Sequence, residues 1–190
     1  SDAMENISPK PLIRLKMNHI KIPSACNNNY DLLNHLFKYF KGYCHISLGM
    51  TTQKEEKKIY NLAKKYKRLK KLILYACTSD YPVKHEDICL LEILRLNKKY
   101  SKKIHAIAFS GHHQGISSDI AAATLGATWI ERHFTLDRTL KGTDHAASLE
   151  PDGARRVARD LGLLSQSLRY KKKQILNCEI SQRIKLKYEA

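Results

Sequence analysis

The run IHAIAFSGHHQGISSDIAAATLGATWIERHF, Ile104 to Phe134, decides the fold. It opens on an apolar, β-rich segment ending at Ser110 and closes on another from Ala127 to Phe134. Between them an alanine-rich stretch begins near Ser117 and stops at Gly126, as a short helix does. Strand, helix, strand in that order is a βαβ unit, and its strands run parallel. Working outward, three more segments of the same kind precede it: HIKIPSA (His19 to Ala25), CHISLGM (Cys44 to Met50) and KLILYAC (Lys71 to Cys77). Stretches of helical periodicity separate them. TQKE, Thr52 to Glu55, has the form of a capping box, and beyond it Ile59, Leu62, Ala63 and Tyr66 share one face. A last helix is expected after Pro151, over Asp152 to Tyr170, with Val157, Leu161, Leu164 and Leu168 on one side. The expected fold is therefore α/β, about five parallel strands alternating with helices.

With 190 residues, 43% of them apolar, the chain can build one real core. No window approaches the roughly 18 uninterrupted apolar residues of a spanning helix, and no charged-then-apolar leader opens the sequence, so a cytoplasmic protein without membrane contact is expected. Five cysteines lie scattered without a CxxC pair; Cys26 and Cys77 read as packed thiols. The formal charge of +16 attracts anionic partners. KKYKRLKK, Lys64 to Lys71, reads as a solvated helix face, and without any helix-turn-helix, zinc-finger or RNA-recognition signature nucleic acid is not the expected partner.

Each strand ends in small or reactive groups: Ser24, Cys26 and Asn28; Ser47 and Gly49; Thr78, Ser79 and Tyr81; Ser110 and His112; Glu131 and His133. In parallel α/β folds the site forms at those carboxyl ends, where side chains of several strands converge. ERHFTLDRTLKGTDHAASLEP, Glu131 to Pro151, gathers histidines and acids in one stretch, yet His133 and His145 are twelve residues apart and share neither a helical face nor a strand. The partner of His133 is expected one strand earlier, at His112. Glu131 shares a face with His133 by strand alternation. His113 reads as a residue behind the site or on the surface, Tyr60, Tyr66 and Tyr75 as core or rim, and Asp144 with His145 also as a cap for the turn after LKGT.

KIPSACNNNYDLL, ISLGMTT, CTSDYPVKHEDICL, the run from Ser110 to Pro151 and KQILNCE together resemble, in order, segments of the N-acetylneuraminate (sialic acid) synthase family, over roughly residues 12 to 180. The resemblance implies a TIM barrel and a carbon–carbon bond-forming transferase that joins phosphoenolpyruvate to N-acetylmannosamine or a related N-acyl amino sugar and releases phosphate. It implies that His112 and His133 hold a divalent metal, manganese or magnesium; that Lys21, Ser24, Ser47, Ser79 and Ser110 line the phosphoenolpyruvate pocket; and that Tyr81 and Asp144 face the sugar. Physical chemistry suits those roles. A hard divalent ion with open positions polarises an aldehyde, a lysine supplies a compact positive charge, and a carboxylate holds a hydroxyl or moves a proton.

The sequence also departs from that pattern. A TIM barrel needs eight strands and about 250 residues, so the expectation is a partial barrel lacking the first three βα units. Its expected layout is an expression scar at 1–3, the barrel segment at 4–168, and a linker or tail at 169–190 where an antifreeze-like domain follows in relatives. Cys26 stands where relatives carry the carboxylate of GSGE or GSGD, and Gly111 belongs to the SGH variant of an SDH motif. An open sheet exposes two edges and an apolar interior. A partner is therefore expected, either another copy of the chain or a complementing chain with the N-terminal half of the barrel, and the single chain is not expected to turn over. The competing reading is a truncated, non-catalytic relative that still binds phosphoenolpyruvate or a phosphosugar.

Overall fold

The computed structural model describes residues 17–188; the segment read as a scar lies outside them. Five strands, β1 (His19–Ile22), β2 (Tyr43–Ser47), β3 (Leu72–Cys77), β4 (Ala106–Gly111) and β5 (Ile130–Arg132), form one sheet in sequence order. Every neighbouring pair is parallel. The crossovers are α1 (Tyr30–Tyr39), α2 (Gln53–Lys65), α3 (Glu92–Tyr100) and α4 (Ser117–Thr124), and α5 (Pro151–Ser167) follows β5. Strictly sequential order with one helix per crossover is what a segment of a (β/α) barrel requires.

Local chemistry sets the helix limits. Thr52 Oγ1 accepts from the Glu55 amide at 3.3 Å while the Glu55 carboxylate accepts from the Thr52 amide at 2.8 Å, the reciprocal capping box that starts α2. Asn29 caps α1 by accepting from the Leu32 amide. Gly126, at φ +102°, ends α4 where a side chain would be strained. Pro151 opens α5, which stops at Ser167, three residues short of the expected Tyr170. Within the segment read as a linker, Asn177–Glu179 makes a 3-10 turn and Ile180–Leu186 a short exposed helix, α6.

Alternation along the strands divides the side chains between two faces. Ile20, Ile22, Ile46, Leu74, Ile107 and Phe109 turn toward the helices and meet Leu33, Leu36, Phe37, Ile59, Ile93 and Leu96 in the main core. Between α2 and α3, the buried carboxylate of Glu56 accepts from Arg95 at 2.7 Å, Lys99 at 2.7 Å and the Tyr100 hydroxyl at 2.8 Å. Burial alone drives a carboxyl upward, but these donors prevail and hold Glu56 below its usual value. The opposite face, the barrel interior, carries a small apolar cluster of Ile73, Tyr75 and Ala108. Around it stand His19, Lys21, His45, Trp129 and Glu131. Among the described residues no helix is long and apolar enough to cross a membrane.

Candidate active site

The β4–β5 register pairs Ser110 with Glu131 and Gly111 with Arg132, so the residues that follow, His112 and His133, leave the sheet side by side. Their ring centroids are 5.1 Å apart and edge to face. Tyr81, in the loop after β3, lays its ring 4.3 Å from His112 and 5.6 Å from His133. The chain beyond β5 then folds back. Leu149 N donates to His133 O at 2.8 Å and Thr135 N to Leu149 O at 2.9 Å, which returns Asp144 to within 3.5 Å of His133 Nδ1. Four residues from three strand ends thus meet at the carboxyl edge of the sheet.

His112 is 4% exposed, and its Nδ1 lies 2.8 Å from the carbonyl of Thr78. A carbonyl only accepts, so Nδ1 carries the hydrogen and Nε2 keeps the lone pair of the neutral ring. Burial pushes the His112 pKa down and prevails over the Thr78 hydrogen bond and the Glu131 charge, which pull it up, so the imidazole stays neutral at pH 7. Burial also raises the Tyr81 phenol above its usual value and keeps its hydroxyl protonated, a hydrogen-bond donor.

An anion-attracting group lies beside this cluster. Lys21, on the first strand, pairs across the interior with Glu131 on the last. Ser24 Oγ and Ser79 Oγ flank the Cys77 thiol at 3.7 and 3.9 Å. A Cβ on Gly49 would come within 2.2 Å of Ser79 Oγ and 2.6 Å of Ser24 Oγ, so only glycine lets the two hydroxyls close on the backbone there. Ser47 and Ser110 are buried, in register with Tyr75 and Cys77. Among the described residues the Ser47 hydroxyl has no hydrogen-bond partner. The structure therefore groups His112, His133, Tyr81 and Asp144, joins Lys21 to Glu131, and sets Ser24 and Ser79 around a glycine; Ser47 and Ser110 stay within the sheet.

Two features escaped the sequence reading. Arg132, between Glu131 and His133, turns to the opposite face and donates to Asp119 at 2.6 Å and to the carbonyls of His113, Gly115 and Ala147 at 2.6, 2.9 and 3.2 Å. The alternation in ERH is the signal that would have separated its role from theirs. His113 is fully buried beside this clamp, behind His112 and away from the surface.

The second feature is a hydrogen-bonded chain in the interior. His45 Nε2 meets His19 Nδ1 at 2.9 Å and His45 Nδ1 meets the Tyr75 hydroxyl at 2.8 Å. Burial, reinforced by His19 and Lys21, pushes His45 down to about 4. The unfolded chain takes up this proton first, near pH 6.5. Stability is therefore complete above about pH 6.5 and lost as the pH falls toward 4, by about 3 kcal/mol for this residue. Urea unfolding at pH 7 and pH 4 should show the wild type losing more stability than His45→Gln by most of that amount; equal losses would remove His45 as the cause.

Fold and strand-end cluster together define a (β/α) half-barrel with paired imidazoles and an ammonium at the carboxyl ends of its strands. Residues 2–173 match the model of the NeuB family, and the chain belongs to that family. It is 34% identical over 181 residues to human N-acetylneuraminate-9-phosphate synthase, covering 95% of this chain and 49% of the relative. It is 30% identical over 158 residues to N,N'-diacetyllegionaminic acid synthase of Campylobacter jejuni, covering 83% and 46%. The crystal structure of N-acetylneuraminic acid (sialic acid) synthetase from Leptospira borgpetersenii in complex with citrate superposes with a TM-score of 0.83 at 27% identity, covering 99% of this chain and 65% of that one. The chain spans about half the length of the curated relatives it matches.

Proposed function

We propose that the chain carries the phosphoenolpyruvate-binding and metal-binding part of a nonulosonic acid synthase, which condenses phosphoenolpyruvate with N-acetylmannosamine or a related N-acyl amino sugar and releases phosphate. The observation that carries this reading is the convergence of His112, His133, Tyr81 and Asp144 beside the Lys21–Glu131 pair at the carboxyl ends of the strands.

The donor set fits a divalent ion such as manganese or magnesium. His112 is neutral, with Nδ1 committed to Thr78 and Nε2 as its lone pair, the arrangement of a metal-binding imidazole. His133 is the second nitrogen donor. Among the described residues no group of three His, Cys, Asp or Glu side chains is placed to enclose an ion, so water, substrate or a partner chain would fill the remaining positions. Bound there, the metal would supply Lewis-acid polarisation of the sugar aldehyde.

The chain's own groups do the rest. Lys21 and the Ser24 and Ser79 hydroxyls hold the phosphate or carboxylate of phosphoenolpyruvate; Ser47 and Ser110 line the floor. Asp144 accepts from a sugar hydroxyl and Tyr81 donates to one. Glu131 holds the Lys21 ammonium in place and is the carboxylate available for proton transfer between the two substrates. The sheet's open edges call for a partner, a second copy or a chain carrying the rest of the barrel, in a cytoplasmic enzyme. The test is release of inorganic phosphate from phosphoenolpyruvate plus N-acetylmannosamine with Mn2+, with the mass in solution measured in parallel. Release that needs both sugar and metal supports the reading; binding of phosphoenolpyruvate without release, also after adding an N-terminal half-barrel, favours a binding-only relative.

A further inference from the structure

TIM-barrel interiors are packed mainly with bulky branched side chains, yet one layer here holds an ammonium, a phenol, a carboxylate and imidazoles. Tyr75 is its centre. Only 4% exposed, it meets His45 Nδ1 through its hydroxyl at 2.8 Å and carries the Lys21 ammonium over its ring, 4.6 Å from the centroid. Trp129 packs edge to face on the His45 ring, 5.1 Å between centroids, and His19 holds the other His45 nitrogen. His45 is thus fixed on both sides, and it fixes the plane of the Tyr75 ring.

We propose that Tyr75, anchored by His45, is a positioning residue that holds the Lys21 ammonium for the phosphate or carboxylate of an enol phosphate. The inference rests on the reading of Lys21 as the anion-binding group and deepens it. A lysine side chain gives up much of its rotamer freedom when it is held in one place. Glu131 supplies part of that restraint, but a carboxylate also occupies the N–H donors that an incoming anion needs. The face of an aromatic ring attracts the cation through its quadrupole and leaves the donors available. Lys21 therefore sits between a carboxylate on β5 that an anion can displace and a ring on β3 that it need not displace.

The test is calorimetric titration of the full chain with phosphoenolpyruvate, alongside thermal unfolding of each variant. Lys21→Met tests the underlying reading and is expected to lose binding. Tyr75→Leu should weaken binding about tenfold, whereas Tyr75→Phe, which keeps the ring face, should stay within about threefold of wild type. Pentafluorophenylalanine at position 75 keeps the ring's shape and inverts its quadrupole, so it should bind as weakly as Tyr75→Leu even if the leucine variant folds poorly. Wild-type affinity in Tyr75→Leu, or equal affinity with phenylalanine and its fluorinated form, would overturn the positioning role while leaving Lys21 in the site. Undiminished binding by Lys21→Met, or none by the wild type at millimolar phosphoenolpyruvate, would overturn the reading of Lys21 itself.

Discussion

Alanine at His112 or at His133 is expected to abolish Mn2+ binding, with a loss of at least about 100-fold in affinity. The imidazoles stand 5.1 Å apart between centroids, and among the described residues no third His, Cys, Asp or Glu completes an enclosing set. Removing one leaves a single protein nitrogen, too little to compete with water for a hard ion. The fold should tolerate either change. His112 gives up one hydrogen bond, to the Thr78 carbonyl, worth about 1 kcal/mol, and His133 lies at the exposed end of the cluster. Electron paramagnetic resonance of Mn2+ titrated with each variant reads the affinity directly, and thermal unfolding separates a lost ligand from a lost fold. Phosphate release, where the assembled enzyme shows it, should vanish with the metal. A double variant that binds Mn2+ like the wild type would sink the assignment.

The elements that were plainest in the sequence are those with local causes. The Thr52 box, the Gly126 stop and the Pro151 start all act within one turn of chain, and each marks a helix end in the structure. The five strands were legible because each is a short apolar run between helical stretches, and their parallel order follows from the crossovers. At the site, strand-end logic brought His112, His133 and Tyr81 into one neighbourhood, since register carries what happens at the end of one strand to the next; Asp144, in the loop beyond β5, was pointed to only by the family resemblance. What stayed hidden depends on facing across the interior. Nothing near Lys21 in sequence says that it meets Glu131, 110 positions away, or that Tyr75 lies beneath it. His45 resembles any polar residue in a strand until His19 and Tyr75 are seen on either side of it. The Glu56 cluster is hidden for the same reason, because its partners Arg95, Lys99 and Tyr100 come from a helix more than 35 positions on.

The same logic makes Asp119→Ala the most damaging single change predicted for the fold. Asp119 is fully buried on α4, and Arg132, its side chain 5% exposed, comes from β5 to meet it at 2.6 Å. Deleting the carboxylate leaves a buried guanidinium whose remaining partners, three carbonyls and the His113 ring nitrogen, are all neutral acceptors, a loss of about 3–5 kcal/mol for a broken buried pair. At about 2–4 °C per kcal/mol for a domain of this size, the midpoint of thermal unfolding should fall by roughly 10 °C. Replacing both partners with apolar residues, Asp119→Leu with Arg132→Met, should recover most of that loss, because the penalty lies in the unpaired charge more than in the missing pair. The consequence reaches the site. Arg132 is flanked by Glu131 and His133, and its bonds to the carbonyls of His113, Gly115 and Ala147 fix the backbone on which both histidines stand. Asp119→Ala should therefore weaken Mn2+ binding although Asp119 touches neither His112 nor His133 in the bonds that hold the clamp. The double apolar variant should regain stability without regaining affinity, since it restores packing but not the guanidinium's hold on three carbonyls. Recovery of both together would mean that the cluster serves only packing; loss of stability below about 1 kcal/mol in Asp119→Ala would mean that β5 is held by its strand pairing alone.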